Sequence, residues 1–154
     1  AWALGAYTFD RYKPRKGEGR ARLIAPEGAD LAEARRIAHA AALARDMINT
    51  PANDLGPLQV ETIAREIAEQ HGAALTVTGG AGLLDSGYPA IHAVGRAAAP
   101  DRAPRLIEMT WGPEDAPVVA LVGKGVTFDT GGLNLKAGTG MRLMKKDMGG
   151  AAHA

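Results

Sequence analysis

The sequence contains no cysteine. Disulfides and thiolate metal sites are therefore excluded, and any bound metal must sit on nitrogen and oxygen ligands. The absence also fits a cytoplasmic protein. Aromatic residues are scarce, at 5% of the chain, whereas alanine and glycine abound; that balance favours close-packed helices and loops shaped by the backbone. Neither sign of charge dominates. A formal net charge of +1 gives no global argument for a nucleic-acid or membrane partner. The longest apolar stretch, residues 117–122, is far too short to span a bilayer, and the first residues show no basic-then-apolar leader pattern.

What remains is the composition of a soluble globular chain, with 46% hydrophobic and 23% charged residues over 154 positions. That is enough for one domain with a proper core. Both ends read as cut: the chain opens on Ala1-Trp2-Ala3-Leu4 as if mid-helix, and it stops where Gly149-Gly150 begins a helix. Residues 11–22 are basic (Arg11, Lys13, Arg15, Lys16, Arg20 and Arg22 against Glu18). They read as an exposed connector rather than a nucleic-acid arm, because Tyr12 is the only aromatic among them.

Asp30 and Glu33 have capping-box spacing. Leu31, Ala34, Ile37, Ala41, Ala44 and Met47 follow at helical intervals, which predicts a helix to about Ile48. Asn49-Thr50-Pro51-Ala52-Asn53 ends it, since proline cannot continue the hydrogen-bond ladder. A second helix is expected over 58–70, with Val60, Ile63 and Ile67 on one face and Gly72 after its end. Strands are expected at 22–25, 75–78, 90–94, 105–110 and 118–122, with one helical turn inside the turn-rich 79–87. Helices followed by apolar strands predict an α/β fold, a mixed β-sheet flanked by helices.

The chemistry concentrates between Gly123 and Gly150. Lys124 follows the most apolar predicted strand, where open α/β sheets place their ligands. Asp129 stands in Phe128-Asp129-Thr130-Gly131-Gly132, and Asp147 precedes Met148-Gly149-Gly150. Five extended residues span roughly 17 Å, so Lys124 and Asp129 share a centre only if the glycine-rich loop folds back. Gly123-Lys124-Gly125 lacks the upstream glycine and the following Ser/Thr of a phosphate-binding loop. Asp129-Thr130-Gly131, with Asp85-Ser86-Gly87 as a second copy, looks like the aspartic-protease signature. That fold is all-β, however, and the long helices predicted here argue against it. Thr130 has no evident base to make it a nucleophile. His39, His71, His92 and His153 are scattered and form no zinc motif.

Taken together, residues 123–132, Lys136 and Lys145-Lys146-Asp147-Met148-Gly149-Gly150 resemble the active-site region of the leucyl (cytosol) aminopeptidase family. Asn49-Thr50-Pro51-Ala52-Asn53 is similar to that family's landmark after the interdomain helix, and the segment from Gly5 to Tyr12 to the close of its N-terminal domain. The resemblance covers essentially the whole chain. It implies that residues 1–29 end an N-terminal domain and connector, and that residues 30–154 form the interdomain helix and the first part of a metallopeptidase catalytic domain.

It further implies a cytoplasmic, homohexameric enzyme that releases N-terminal residues from peptides with a free N-terminus, using two divalent ions (Mn or Zn, with Mg or Co as alternatives). Lys124, Asp129 and Asp147 would be metal ligands, and Lys136 the catalytic lysine that polarises the scissile carbonyl. Lys124, Asp129 and Lys136 would also contact substrate, and Met144 would line the pocket for its N-terminal side chain. The two lysines need opposite protonation states. A lysine amine ligates only when a cation displaces its proton despite an ordinary pKa of ~10.4, whereas an uncoordinated ammonium stabilises a developing oxyanion. The family's Asn-Thr-Asp-Ala-Glu-Gly-Arg stretch, which supplies further carboxylate ligands and a catalytic arginine, does not occur in the sequence. The chain alone is therefore expected to be inactive and to bind metal weakly. Ala137 stands where many relatives have proline. Since some relatives also bind DNA, a non-catalytic interaction module using residues 11–22 is the rival reading.

Overall fold

The computed structural model describes residues 2–14 and 21–154. The first helix, α1 (Trp2–Gly5), leads into an extended segment that lies along α2 (Leu31–Asn49). Two tyrosines tie it there: Tyr7 donates to Asp46 Oδ1 at 2.7 Å, and Tyr12 donates to Asp54. Arg45 adds a hydrogen bond to the Leu4 carbonyl at 2.6 Å.

Asp30 caps α2 as its spacing predicts, accepting from the Glu33 amide at 2.9 Å. The Glu33 carboxylate turns instead to Arg36, at 2.6 Å, an i,i+3 pair on the exposed face. After the turn at 50–56 comes α3 (Pro57–His71), with proline at its first position and Gly72 in the left-handed conformation at its end (φ 66°). The carbonyl-bearing turn between the two helices is gripped by Arg102, which donates to the backbone oxygens of Ala52 and Asn53.

Strands β1 (Ala74–Gly79) and β2 (Arg105–Thr110) pair antiparallel, from Ala74 opposite Thr110 to Gly79 opposite Arg105. This two-stranded sheet packs against α3, giving an α/β fold. Between the strands lie α4 (Gly82–Asp85), α5 (Pro89–Gly95) and a 3-10 turn at Pro100–Arg102. The last part of the chain holds α6 (Gly138–Arg142), a 3-10 stretch at Leu143–Met148 and α7 (Gly149–His153).

Three expected strands do not form. Residues 90–94 are helical, because Pro89 presets a helical φ at the first position and Ala90 and His92 have no preference for a pleated surface. Residues 22–25 are irregular and exposed. Residues 118–122 run without helix or ladder, with Val118 and Val122 more than 90% exposed. β-propensity stabilises a strand only through a neighbour's hydrogen bonds and side chains, and no described strand lies beside them. No described helix is long and apolar enough to cross a membrane.

The core joins the end of α2 to the end of the chain. Met47, Leu55 and Met148 are buried together, with Ile48, Val60, Ile63 and Ala152 packed around them. Met148 is fully buried, so residues 143–152 are anchored by apolar contact worth about 1.5–3 kcal/mol for that side chain alone.

A separate polar tie fixes α3 to the sheet. Glu61 pairs with Arg65 at 2.7 Å and with Arg105 of β2. Burial raises the Glu61 carboxyl, but the hydrogen bonds and charges of Arg65 and Arg105 outweigh it and hold the carboxyl below its ordinary 4.5. A depressed folded value means stabilisation that is complete above the unfolded value and lost as pH falls through the folded one. Glu61→Gln should therefore cost about 1–3 kcal/mol in urea unfolding at pH 7. Its deficit against the unsubstituted chain should shrink as the pH drops below 4.5.

Candidate active site

The segment from Gly123 to Ala151 crosses itself closely, and glycine makes the crossing possible. The Ala151 amide donates to the Lys124 carbonyl at 2.9 Å. A Cβ built on Gly150 would lie 2.7 Å from the Lys124 nitrogen, and one on Gly123 would overlap the Gly150 carbonyl and lie 2.6 Å from Ala151 Cα. Backbone cannot yield at such distances, so both positions require glycine. The consequence is that Lys124 is carried to the turn that bears Asp147.

Asp147 is about one-quarter exposed and accepts from Lys146 Nζ at 3.0 Å. That hydrogen bond holds its carboxyl below the ordinary value against the cost of burial, and the charges of Lys146, Lys124 and Lys136 act in the same direction. Of the predicted residues, Lys124 and Lys136 thus lie near enough for their charges to act on Asp147. Asp129 lies on an exposed loop, where its Oδ1 accepts from the Gly131 amide at 3.0 Å. Lys136 is likewise on an exposed loop, held by a bond from its amide to Asn134 Oδ1 at 3.1 Å. Met144 is buried, at 7% exposure.

Two cations beside Asp147 escaped the sequence reading. Lys146 pairs with it directly, and Lys145 reaches the other way, donating to the Ile48 and Asn49 carbonyls at the end of α2. Burial pushes the Lys145 amine down. Their adjacency to Asp147 in Lys145-Lys146-Asp147 was the available signal. Among the described residues no three His, Asp or Glu side chains gather; the donors on hand are two carboxylates and an amine, a hard oxygen-and-nitrogen set. His153 bonds the Gly149 carbonyl at 2.7 Å instead.

The aspartic-protease reading fails on the fold. Asp85 ends the short helix α4, and the described residues hold one two-stranded sheet rather than two β lobes. Half of the basic connector weighed as a nucleic-acid arm, residues 15–20 of 11–22, lies outside the described residues.

Comparison with known proteins settles the family. Residues 42–154 match the catalytic domain of the cytosol aminopeptidase family. The chain belongs to that family. It is 39% identical to the probable cytosol aminopeptidase of Rhodococcus opacus over 167 aligned positions, which cover 98% of the chain and 33% of the relative. The crystal structure of cytosol aminopeptidase from Coxiella burnetii superposes with a TM-score of 0.84 at 42% identity, over 99% of the chain and 32% of that protein. The bottromycin maturation enzyme BotP, solved in complex with Mn, gives 0.77 at 42% identity, over 97% and 32%. The chain spans about a third of the length of these relatives. Cytosol aminopeptidases are metal-dependent peptidases.

The crossing is open to test. Gly150→Ala should break the Ala151–Lys124 bond and destabilise the chain by about 1–3 kcal/mol in thermal or urea unfolding. Gly138→Ala, where nothing lies within 4 Å, should be neutral or stabilising by about 0.4–1 kcal/mol.

Proposed function

We propose that this chain supplies one part of the active site of a two-metal aminopeptidase, which removes N-terminal residues from peptides with a free N-terminus. The observation that carries the reading is the Gly123–Gly150 crossing, which sets the Lys124 backbone against the turn that follows Asp147. Cations gather near a carboxylate, as Lys124 and Lys136 do here, where anionic ligands and a substrate oxygen have to be managed together.

In this reading Lys124, Asp129 and Asp147 hold divalent metal, Mn or Zn in the first instance and Mg or Co as alternatives. Lys124 ligates through its neutral amine. Asp147 stays ionised, with both oxygens able to accept, a state that its cationic neighbours favour. Asp129 sits on a glycine-flanked loop that can bring it towards the other two. The ions supply Lewis-acid polarisation of the peptide carbonyl and an anchor for the substrate's free amine. Lys136 Nζ retains its proton and stabilises negative charge as it develops on the scissile carbonyl oxygen. Met144, buried at 7% exposure, helps line the pocket for the first side chain. The whole protein is proposed to act in the cytoplasm as a homohexamer. The sequence lacks the Asn-Thr-Asp-Ala-Glu-Gly-Arg stretch that completes the ligand set by resemblance, so the 154-residue chain alone should show no turnover.

A graft tests this. Residues 30–154 replace the matching segment of the Coxiella burnetii enzyme, and leucine release from leucyl-p-nitroanilide is followed with Mn2+. Activity should vanish with chelator and return with metal, and Lys136→Met should lower kcat by about 10²–10³ with a smaller change in KM. Chelator-insensitive turnover, or full activity in Lys136→Met, would sink the reading.

A further inference from the structure

Helix α2 ends without the usual local means of satisfying its last carbonyls. Its C-cap, Thr50, is extended (φ −67°, ψ 128°) rather than left-handed, and its last turn contains no basic residue. The next residue, Pro51, has no amide to donate. Thr50 spends both of its donors on one acceptor: its amide and its hydroxyl bond the Asp46 carbonyl, at 2.9 and 2.6 Å. The Ile48 and Asn49 carbonyls are met from elsewhere. Lys145, almost a hundred residues on, places its Nζ 3.2 Å from the Ile48 oxygen and closer still to that of Asn49. A cation at that end also complements the negative pole of a 19-residue helix.

The same residue belongs to the 3-10 stretch Leu143–Met148, which carries Asp147. Two residues beyond Asp147, the Gly149 backbone rests on Ile48: a Cβ added there would lie 3.4 Å from Ile48 Cδ1. Asp147 thus sits between an ionic anchor at 145 and an apolar one at 148–149, both on the last turn of α2.

We infer that Lys145 is a positioning residue, capping the C-terminus of α2 from within the site segment and thereby fixing where Asp147 stands relative to Lys124. Its consequence for metal rests on the proposed role of Asp147 as a ligand; its structural half does not. The ammonium is spent on the Ile48 and Asn49 carbonyls. It sets the register in which residues 143–151 dock, and the Ala151–Lys124 bond reports that register.

The test uses the 154-residue chain labelled with 15N. Lys145→Met should speed hydrogen exchange at the Ala151 amide about tenfold, while the Ala73 amide, bonded to Ala68 at the far end of α3, changes less than about threefold. The Mn2+ concentration that half-broadens the Asp147 amide should rise about tenfold in the same variant. Lys145→Arg, which keeps the charge, should restore both readings, and Lys145→Gln should fall between. Parent-like exchange at Ala151 in Lys145→Met overturns the inference. So does equal acceleration at Ala73, which is general destabilisation, or failure of Lys145→Arg to rescue. If the unsubstituted chain shows no broadening by Mn2+, the metal reading fails, and exchange at Ala151 still decides the role of Lys145.

Discussion

The hydrogen bond from the Ala151 amide to the Lys124 carbonyl, 2.9 Å long, is the contact on which the site depends. It joins two segments that the sequence separates by a long glycine-rich loop. It can exist only because Gly123 and Gly150 present bare backbone to each other. The Asp147 carboxyl is depressed first by the hydrogen bond from its neighbour Lys146, and the Lys124 charge, set near by the crossing, adds to it.

That crossing in turn needs a platform. The end of α2 provides it through Met47 and Ile48, which meet Met148 and Gly149, and through carbonyls that accept from Lys145. The same helix end receives the N-terminal segment by way of Tyr7 and Asp46, and the 50–56 turn that Arg102 holds. Asn49-Thr50-Pro51-Ala52-Asn53 thus has a physical meaning beyond ending a helix. By stopping α2 at a proline, it leaves carbonyls for a distant lysine, and so couples the scaffold to the acidic residue proposed to hold metal.

The long helices and the paired strands were legible because local chemistry specifies them. Asp30 caps as its spacing predicts, Pro57 and Gly72 bound α3, and residues 105–110 form a strand with the predicted limits. The misplaced strands share one cause: at 90–94 and 118–122 the apolar run was short, and neighbours rather than propensity decided its state. Within the candidate site, glycine punctuation and the family resemblance pointed to Lys124 and Asp147, whose metal role remains the proposal. The roles of Lys145 and Lys146 were not, since a lysine bonding carbonyls almost a hundred residues away leaves no periodic trace. Asp129 marks the opposite case. Its motif is the most conspicuous in the segment, yet its carboxylate bonds its own loop.

The most direct measurement is a Mn2+ titration of the labelled chain, followed by paramagnetic broadening of its amide resonances. The account predicts that Lys124, Asp129 and residues 147–151 broaden first and together, and that they recover on addition of EDTA. Broadening that begins instead at Asp46 or Asp54, the carboxylates that hold the N-terminal segment, or that spreads evenly over the carboxylates, would contradict it.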